Sequence, residues 1–226
     1  MKASPHSPVK VWDWSIRVFH WSLPALLFLL WRSAGDDMDQ HMLFAQLLLG
    51  LLLYRIIWGF IGTPYARFSH FLYHPGRIVA YLRASLTAHK PVYLSHNPLG
   101  GVMVLVMLGT LLFQAGSGLF ATDDIFYEGP LYSYVSGATS SWMTDWHKSW
   151  FYDGLLLIIG LHVVAIALYR LRGENLVKAM ITGHKEAPAS QVVDRLEHHP
   201  HAFPWLRFVL SVALSAGTTW TLFNAF

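Results

Sequence analysis

The chain has 226 residues, of which 54% are hydrophobic and only 13% are charged, with a formal net charge of +3. Charged residues make up about a quarter of an ordinary soluble domain, so this composition indicates a membrane protein. The chain has no cysteine, which excludes covalently attached c-type haem, iron–sulfur clusters, thiolate zinc sites and disulfides. Its 13 histidines remain as the metal ligands available in quantity.

Hydropathy predicts an all-α membrane protein with five transmembrane helices. In chain order, the apolar runs are Phe19–Trp31, Met42–Ile61, Leu99–Phe120, Trp150–Tyr169 and Phe203–Phe226. The first run is short, and we extend it back through Trp12–Ile16 because its tryptophans suit an interfacial belt. No small-residue cleavage site follows this run, so we expect the first helix to be retained as a span.

Charges separate the connections between these spans into two groups. The acidic residues that follow the first and third spans are Asp36, Asp37, Asp39, Asp123, Asp124, Glu128 and Asp145. Only Arg32 and Lys148 lie beside them, whereas the other 14 lysines and arginines fall on the opposite side. The positive-inside rule therefore predicts a bacterial inner-membrane protein with a cytoplasmic N-terminus, periplasmic acidic loops and a periplasmic C-terminus. The basic pI of about 9.2 is then a topology signal, and we expect no nucleic-acid partner.

The inner segments carry fewer signals. The loop between the second and third spans contains an amphipathic piece, Arg77–Leu86, that suits the membrane surface. The polar stretch Gly183–His201 is predicted to be a flexible connector, and we divide the chain into residues 1–185 and 186–226. A surface cluster is the favoured interpretation of His198, His199 and His201, because no partner with helical spacing frames them as a metal site.

Two histidines lie on one apolar stretch, Trp146–Tyr169, which contains the fourth span. His147 and His162 are 15 residues apart, which on an α-helix is a net turn of about 60° and a rise of roughly 22 Å. Both therefore face one side of the helix, one in each leaflet. Ionisable residues inside a span are costly and indicate function, so this spacing suggests two stacked cofactors.

Two further histidines match them in depth. His41 begins the second span at the level of His147, and His20 lies near the inner end of the first span at the level of His162. A single histidine on an apolar face is more often a core residue than a ligand, but two pairs at two depths favour ligation. Iron with two histidine ligands has no vacant position for oxygen, so the pattern predicts two electron-carrying b-type haems.

Three other residues are candidates for cofactor binding. Arg55 either accompanies a haem propionate inside the second span or extends to the inner headgroups. Arg17 is a second candidate for a propionate. His96 either belongs to the helix start made by Asn97 and Pro98, or contacts a quinone or propionate, or competes with His20 as the inner ligand. His74, Arg77 and Arg83 are available for an inner quinone pocket, although we expect His70, His74, His89 and His184 to be solvated.

Several segments together resemble bacterial di-haem cytochrome b. They are RVFHW (residues 17–21), YRIIWG (54–59), HNPLGG (96–101), GLFATDDIFYEGP (118–130) and GLH (160–162). The chain is most similar to the bacterial cytochrome b561 branch that includes the b-type subunits of membrane-bound nickel–iron hydrogenases, over about residues 9–185.

The resemblance implies a four-helix transmembrane bundle holding two b-type haems, with quinone and a periplasmic redox protein as partners. Carried over by position, its ligands are His20, His41, His147 and His162. The chain departs from the family in two places. The interval from His147 to His162 is one residue longer than the commonest spacing, and the fifth helix lies outside the shared core. Its small residues, Ser211, Ala213, Ser215 and Gly217, suit helix packing, including packing between protomers of a homo-oligomer.

The predicted function is electron transfer across the membrane between quinone and a c-type cytochrome or a hydrogenase-like enzyme. Direct oxidation of superoxide at the outer face, coupled to quinone reduction, is the alternative, but it calls for a positively charged funnel where this chain is acidic. A structural anchor with degenerate haem sites is a third hypothesis, which the depth-matched histidines oppose. Lipid is the remaining expected partner.

Overall fold

A computed structural model describes residues 6–85, 91–188, 192–196 and 202–224. Its long helices are α1 (Trp14–Ser33), α2 (Met38–Ile61), α5 (Pro98–Gly118), α6 (Gly137–Trp150), α7 (Leu156–Leu171) and α9 (Trp205–Asn224). The short helices are α3 (Phe68–Phe71), α4 (Pro75–Ala84) and α8 (Leu176–Thr182). A π-helical turn, Phe151–Leu155, joins α6 to α7. The described part also contains two strands, β1 (His6–Lys10) and β2 (His184–Pro188), and two 3₁₀ turns, Pro64–Ala66 and Tyr132–Tyr134.

Four helices of the described part are long and apolar enough to cross a membrane. They are Met38–Ile61, Pro98–Gly118, the continuous run Gly137–Leu171 and Trp205–Asn224. Helix α1 is 20 residues long but carries Arg17, His20 and Arg32 and is not among the four. The start predicted for the fourth span at Trp150 is wrong, because the helix already begins at Gly137 after the Ser136 cap.

Polar side chains fix where the long helices begin. The side chain just before each of four helices accepts a hydrogen bond from a backbone N–H in the first turn of that helix. These side chains are Asp13 for α1, Asp37 for α2, Asn97 for α5 and Ser136 for α6. These groups would otherwise lack a partner, so each cap stabilises its helix by about 1 kcal/mol. Pro98 at the first position of α5 strengthens that start because its fixed φ suits a helix and no N–H is lost.

A small layer of strands and short helices lies at one end of the bundle. Strands β1 and β2 pair antiparallel, with Lys10 opposite His184. The flexible connector predicted from Gly183 is therefore wrong for residues 184–188, whose backbone is held in a ladder. Further on, Asp194 accepts hydrogen bonds from the backbone N–H groups of Leu94 (2.6 Å) and Ser95 (2.9 Å). His89, His198, His199 and His201 lie outside the described residues.

Helix α9 packs on the bundle and mainly contacts α2. Its buried stripe consists of Ser211, Ser215 and Thr219, and each of these hydroxyls donates to a carbonyl one turn earlier in α9. A Cβ on Gly50 of α2 would lie 3.6 Å from Thr219 Oγ1. Small residues on both helices therefore allow close packing within this chain.

Candidate functional site

The outer histidine pair joins the first turn of α2 to α6. The ring centres of His41 and His147 are 6.2 Å apart, with an angle of 86° between the ring planes. His41 Nδ1 lies 3.0 Å from the carbonyl oxygen of Leu30, and His147 Nδ1 lies 2.8 Å from that of Gln114. A carbonyl accepts a hydrogen bond from an N–H, so both rings carry their proton on Nδ1 and leave Nε2 free for a metal.

Helix α5 holds His147 in place. The Gln114 amide nitrogen donates to the carbonyl oxygen of His147 (2.9 Å), while the Gln114 carbonyl accepts from the ring. A Cβ on Gly118 would lie 2.8 Å from His147 Cε1, so glycine is required for the ring to sit against α5. Neither role was predicted from the sequence. A lone glutamine inside an apolar span was the available signal for Gln114.

The inner pair joins α1 to α7. The ring centres of His20 and His162 are 6.4 Å apart, with 55° between the ring planes. His20 Nδ1 is buried and has no hydrogen-bond partner among the described residues. The structure thus brings together the two histidine pairs that were predicted from depth, although a regular α-helix between His147 and His162 was also assumed.

That assumption is wrong because the helix contains a π-helical turn between the two histidines. The Leu156 N–H bonds to the Phe151 carbonyl, five residues earlier, in place of the usual four. Such a turn accommodates one extra residue without moving the flanking helices out of register. The π-helical turn therefore accounts for the interval from His147 to His162, which is one residue longer than the commonest family spacing.

The geometry of both pairs fits one metal ion held between two imidazoles. A metal–nitrogen bond is about 2.0 Å and the nitrogen lies about 1.1 Å from its ring centre, so two ligands in line have centres about 6 Å apart. The searched residues contain no group of three or more His, Cys, Asp or Glu able to hold a bare ion. A metal at either pair therefore needs a cofactor that supplies its other ligands, as a haem does.

Arg55 lies deep in the bundle. It is only 4% exposed, and its guanidinium carbon lies 5.0 Å from the centre of the Phe68 ring. One terminal nitrogen, NH1, is buried and has no partner in the described part of the chain. This burial argues against the interpretation in which Arg55 extends to the headgroups, and NH1 is left without a hydrogen-bonded anion among the described residues.

His96 and Arg17 have different surroundings from the paired histidines. The His96 ring packs between Trp12 and Phe71, with ring centres 4.7 and 4.5 Å away. Burial, and then the charge of Arg55, lowers the pKa of His96 to about 3, so its ring is neutral at physiological pH. Arg17 donates to the carbonyl of Ile181 (2.5 Å), and its Nε is buried without a partner among the described residues.

A comparison with known families identifies the chain as a whole. The family model described as prokaryotic cytochrome b561 matches residues 11–183, which is most of the chain. The chain belongs to the prokaryotic cytochrome b561 family. No curated protein and no solved structure gives a significant match. As a member of this family, the protein is a bacterial membrane cytochrome that binds b-type haem and takes part in transmembrane electron transfer.

The predicted acidic loops of the cytochrome meet in the structure. The Tyr127 hydroxyl donates to Asp39 in the first turn of α2, which links the loop after α5 to the start of α2. Asp123 Oδ1 accepts from three successive backbone N–H groups, those of residues 125–127. These bonds lower the pKa of Asp123, with the Tyr127 N–H contributing most. Arg32 pairs with Asp36, so one of the two basic residues on this side is already neutralised.

A buried acid near the other end was missed. Asp13 is 5% exposed and accepts hydrogen bonds from Ser15 Oγ, the Ile16 N–H, Trp58 Nε1 and Thr63 Oγ1, at 2.5–3.1 Å. Tyr54 extends this network by donating to Ser15 Oγ (2.6 Å). The network fastens the start of α1 to the end of α2. Asp13 lies inside the span predicted from Trp12, and an aspartate there was the sequence signal that the helix begins just after it.

Proposed function

We propose that the protein conducts electrons across the inner membrane through two b-type haems. His41 and His147 ligate the outer haem, and His20 and His162 ligate the inner one. The observation that carries this proposal is the separation of the ring centres, 6.2 and 6.4 Å, which suits one iron in each pair. The hydrogen bonds that leave Nε2 of His41 and His147 free support the outer site independently.

The side chains around each pair have separate tasks. Bound haem supplies a one-electron couple at each level, and two histidine ligands exclude oxygen from the iron. The carbonyls of Leu30 and Gln114 orient the outer imidazoles and raise their basicity. Arg55 supplies a buried positive charge for an inner propionate, and Arg17 and His96 offer further donors beside it. Between His147 and His162, the helix spans about 21 Å if the π-helical turn takes up one residue.

Strand pairing supports the proposed topology. Because β1 pairs with β2, residues 10 and 184 lie on one side, and the chain must cross the membrane an even number of times between them. Three of the apolar helices lie in that interval, so α1 supplies the fourth crossing. Positive-inside bias places this side in the cytoplasm, and α9 then takes the C-terminus to the periplasm.

The two membrane faces suit different redox partners. We infer that quinone reacts near the inner haem, where His96 and the segment that carries His74, Arg77 and Arg83 lie. The acidic outer surface suits a periplasmic redox protein with a basic patch, either a c-type cytochrome or a hydrogenase-like enzyme. Electrons would then pass between quinone on one side and this protein on the other.

Haem analysis of the purified protein tests the ligand assignment. A pyridine haemochrome assay should give two extractable b-type haems per chain. Alanine at His41 or His147 should remove the outer haem alone, and alanine at His20 or His162 the inner one alone. His184→Ala is the matched control, because this exposed histidine should affect neither.

One outcome would reassign the inner ligand, and another would reject two haems. If His20→Ala keeps both haems while His96→Ala loses one, His96 is the ligand. A single haem per chain in the unaltered protein contradicts the proposal as a whole.

A further inference from the structure

A cavity of about 450 Å³ lies where the end of α2 meets the start of α9. The residues that line it include Gly62, Thr63 and Arg67 from the α2 side and Trp205, Leu206 and Arg207 from α9. No carboxylate lines it. It is separate from both histidine pairs, and neither electron transfer nor haem binding assigns it a role.

Two arginines line the cavity, Arg67 from the segment after α2 and Arg207 from α9. Arg67 Nε donates to the carbonyl of Gly62 (2.9 Å), and Arg207 NH1 donates to that of Ile61 (3.4 Å). Each guanidinium has five N–H donors, so four remain on each after these bonds. Neither forms an ion pair with a carboxylate in the part of the chain that the structure describes. Two like charges beside consecutive carbonyls therefore have no carboxylate counterion among the described residues.

Apart from Thr63, the other residues that line the cavity are glycine, proline, alanine, tryptophan and leucine. Trp205 and Leu206 are 60% and 73% exposed and begin a helix that is long and apolar enough to span the membrane. Tryptophan at such a helix end marks the interface between headgroups and acyl chains. A ligand held here meets positive charge at one end and hydrocarbon at the other.

We propose that this cavity binds the phosphate group of an anionic phospholipid of the inner leaflet. Guanidinium groups match phosphate oxygens in geometry as well as charge, and basic pockets between transmembrane helices on the cytoplasmic side recognise such headgroups. The lipid joins α2 to α9, so it stabilises the docking of the helix that lies beyond the family match. The proposal is independent of the haem ligands.

Native mass spectrometry of the detergent-purified protein tests this site. The protein is incubated with phosphatidylglycerol, with phosphatidylcholine, or with inorganic phosphate alone. We expect retained phosphatidylglycerol, little phosphatidylcholine, and a loss of about fivefold in phosphatidylglycerol retention for Arg67→Gln or Arg207→Gln. Arg83→Gln, which removes the same charge from an exposed position on α4, is the matched control and should retain the lipid.

The outcomes separate the possible sources of phosphate. Arg207→Lys should keep most of the binding, and an unchanged haem content in every variant shows that the bundle is intact. If inorganic phosphate raises the thermal midpoint of the unaltered protein but not of Arg207→Gln, and lipid adds nothing, the phosphate site stands with a soluble ligand. Equal lipid retention in the Arg67, Arg207 and Arg83 variants overturns the proposal.

Discussion

Deleting Tyr152 should leave both proposed haem sites intact. Tyr152 lies in the π-helical turn, is exposed, and is one of the residues enclosed by the hydrogen bond from Leu156 N–H to the Phe151 carbonyl. That bond now spans five residues. Removing one of them lets the same two groups bond across four, as in an α-helix, so α6 and α7 keep their relative rotation.

A deletion in the regular helix has the opposite effect. Leu157 is an exposed apolar residue of α7, and its removal turns His162 by about 100° and shifts it by about 1.5 Å relative to His147. With the imidazole nitrogen roughly 6 Å from the helix axis, this rotation displaces it by roughly 9 Å. A metal–nitrogen bond of about 2 Å cannot tolerate that displacement.

Haem content and redox titration distinguish these two deletions. The Tyr152 deletion should retain two haems, whereas the Leu157 deletion should keep the outer haem and lose the inner one. The outer haem is an internal control for folding, because α6 precedes both deletions. If the Tyr152 deletion loses the inner haem just as the Leu157 deletion does, the π-helical turn does not take up the extra residue and our account of the spacing is wrong.

Three further predictions concern other parts of the cytochrome. Asp13→Ala leaves four donors without their acceptor and should destabilise the protein by about 3 kcal/mol. Asp37→Ala removes only a helix cap and should destabilise it by about 1 kcal/mol. The thermal midpoints of the two variants compare these losses, and equal losses would contradict a buried network around Asp13. Burial raises the pKa of Asp194, but contacts with His70, Leu94 and Ser95 outweigh burial and lower the pKa overall. The ionised Asp194 therefore stabilises the folded protein at neutral pH, and this contribution is lost as the pH falls below about 4. The gap in thermal midpoint between the unaltered protein and Asp194→Asn should close in that acidic range, and a constant gap refutes this. A triple variant of the acidic surface should slow electron transfer to a basic c-type cytochrome and make its rate less dependent on salt, at constant haem content. Its substitutions are Asp123→Asn, Asp124→Asn and Glu128→Gln. If the rate of the unaltered protein does not depend on salt, a permanent, apolar complex is favoured instead.

The positions of the four histidines could be predicted because depth along a helix follows from counting residues. Each residue adds about 1.5 Å, so ligands on different helices can be compared once the direction of each span is known. Charge bias gave those directions. The pairs His41 with His147 and His20 with His162 needed nothing else.

Other features carry little signal in a single sequence. The strands His6–Lys10 and His184–Pro188 are short, polar and far apart in the chain, so their pairing depends on the bundle that brings them together. The π-helical turn lies in an apolar run that also suits an α-helix, and only the comparison of spacing with the family pointed to an extra residue. Gln114 gains its role from the nearness of α6, which local sequence does not encode.

Buried charges in this protein have two different roles, which their hydrogen bonds distinguish. Asp13 is surrounded by four donors, so its negative charge is stabilised by the protein alone and the residue is structural. Arg55 is equally buried, yet its NH1 lacks a partner among the described residues, and its guanidinium carbon lies 5.0 and 6.0 Å from the ring centres of Phe68 and Phe71. Placing an arginine in a span costs about 2.5–3.5 kcal/mol, and aromatic faces offset only about 0.5–2 kcal/mol of this. Asp13 attracts this cation without a hydrogen bond to NH1. An anion bonded to NH1 would offset the remainder, and a propionate beside His20 and His162 is the anion that the proposed inner haem would bring.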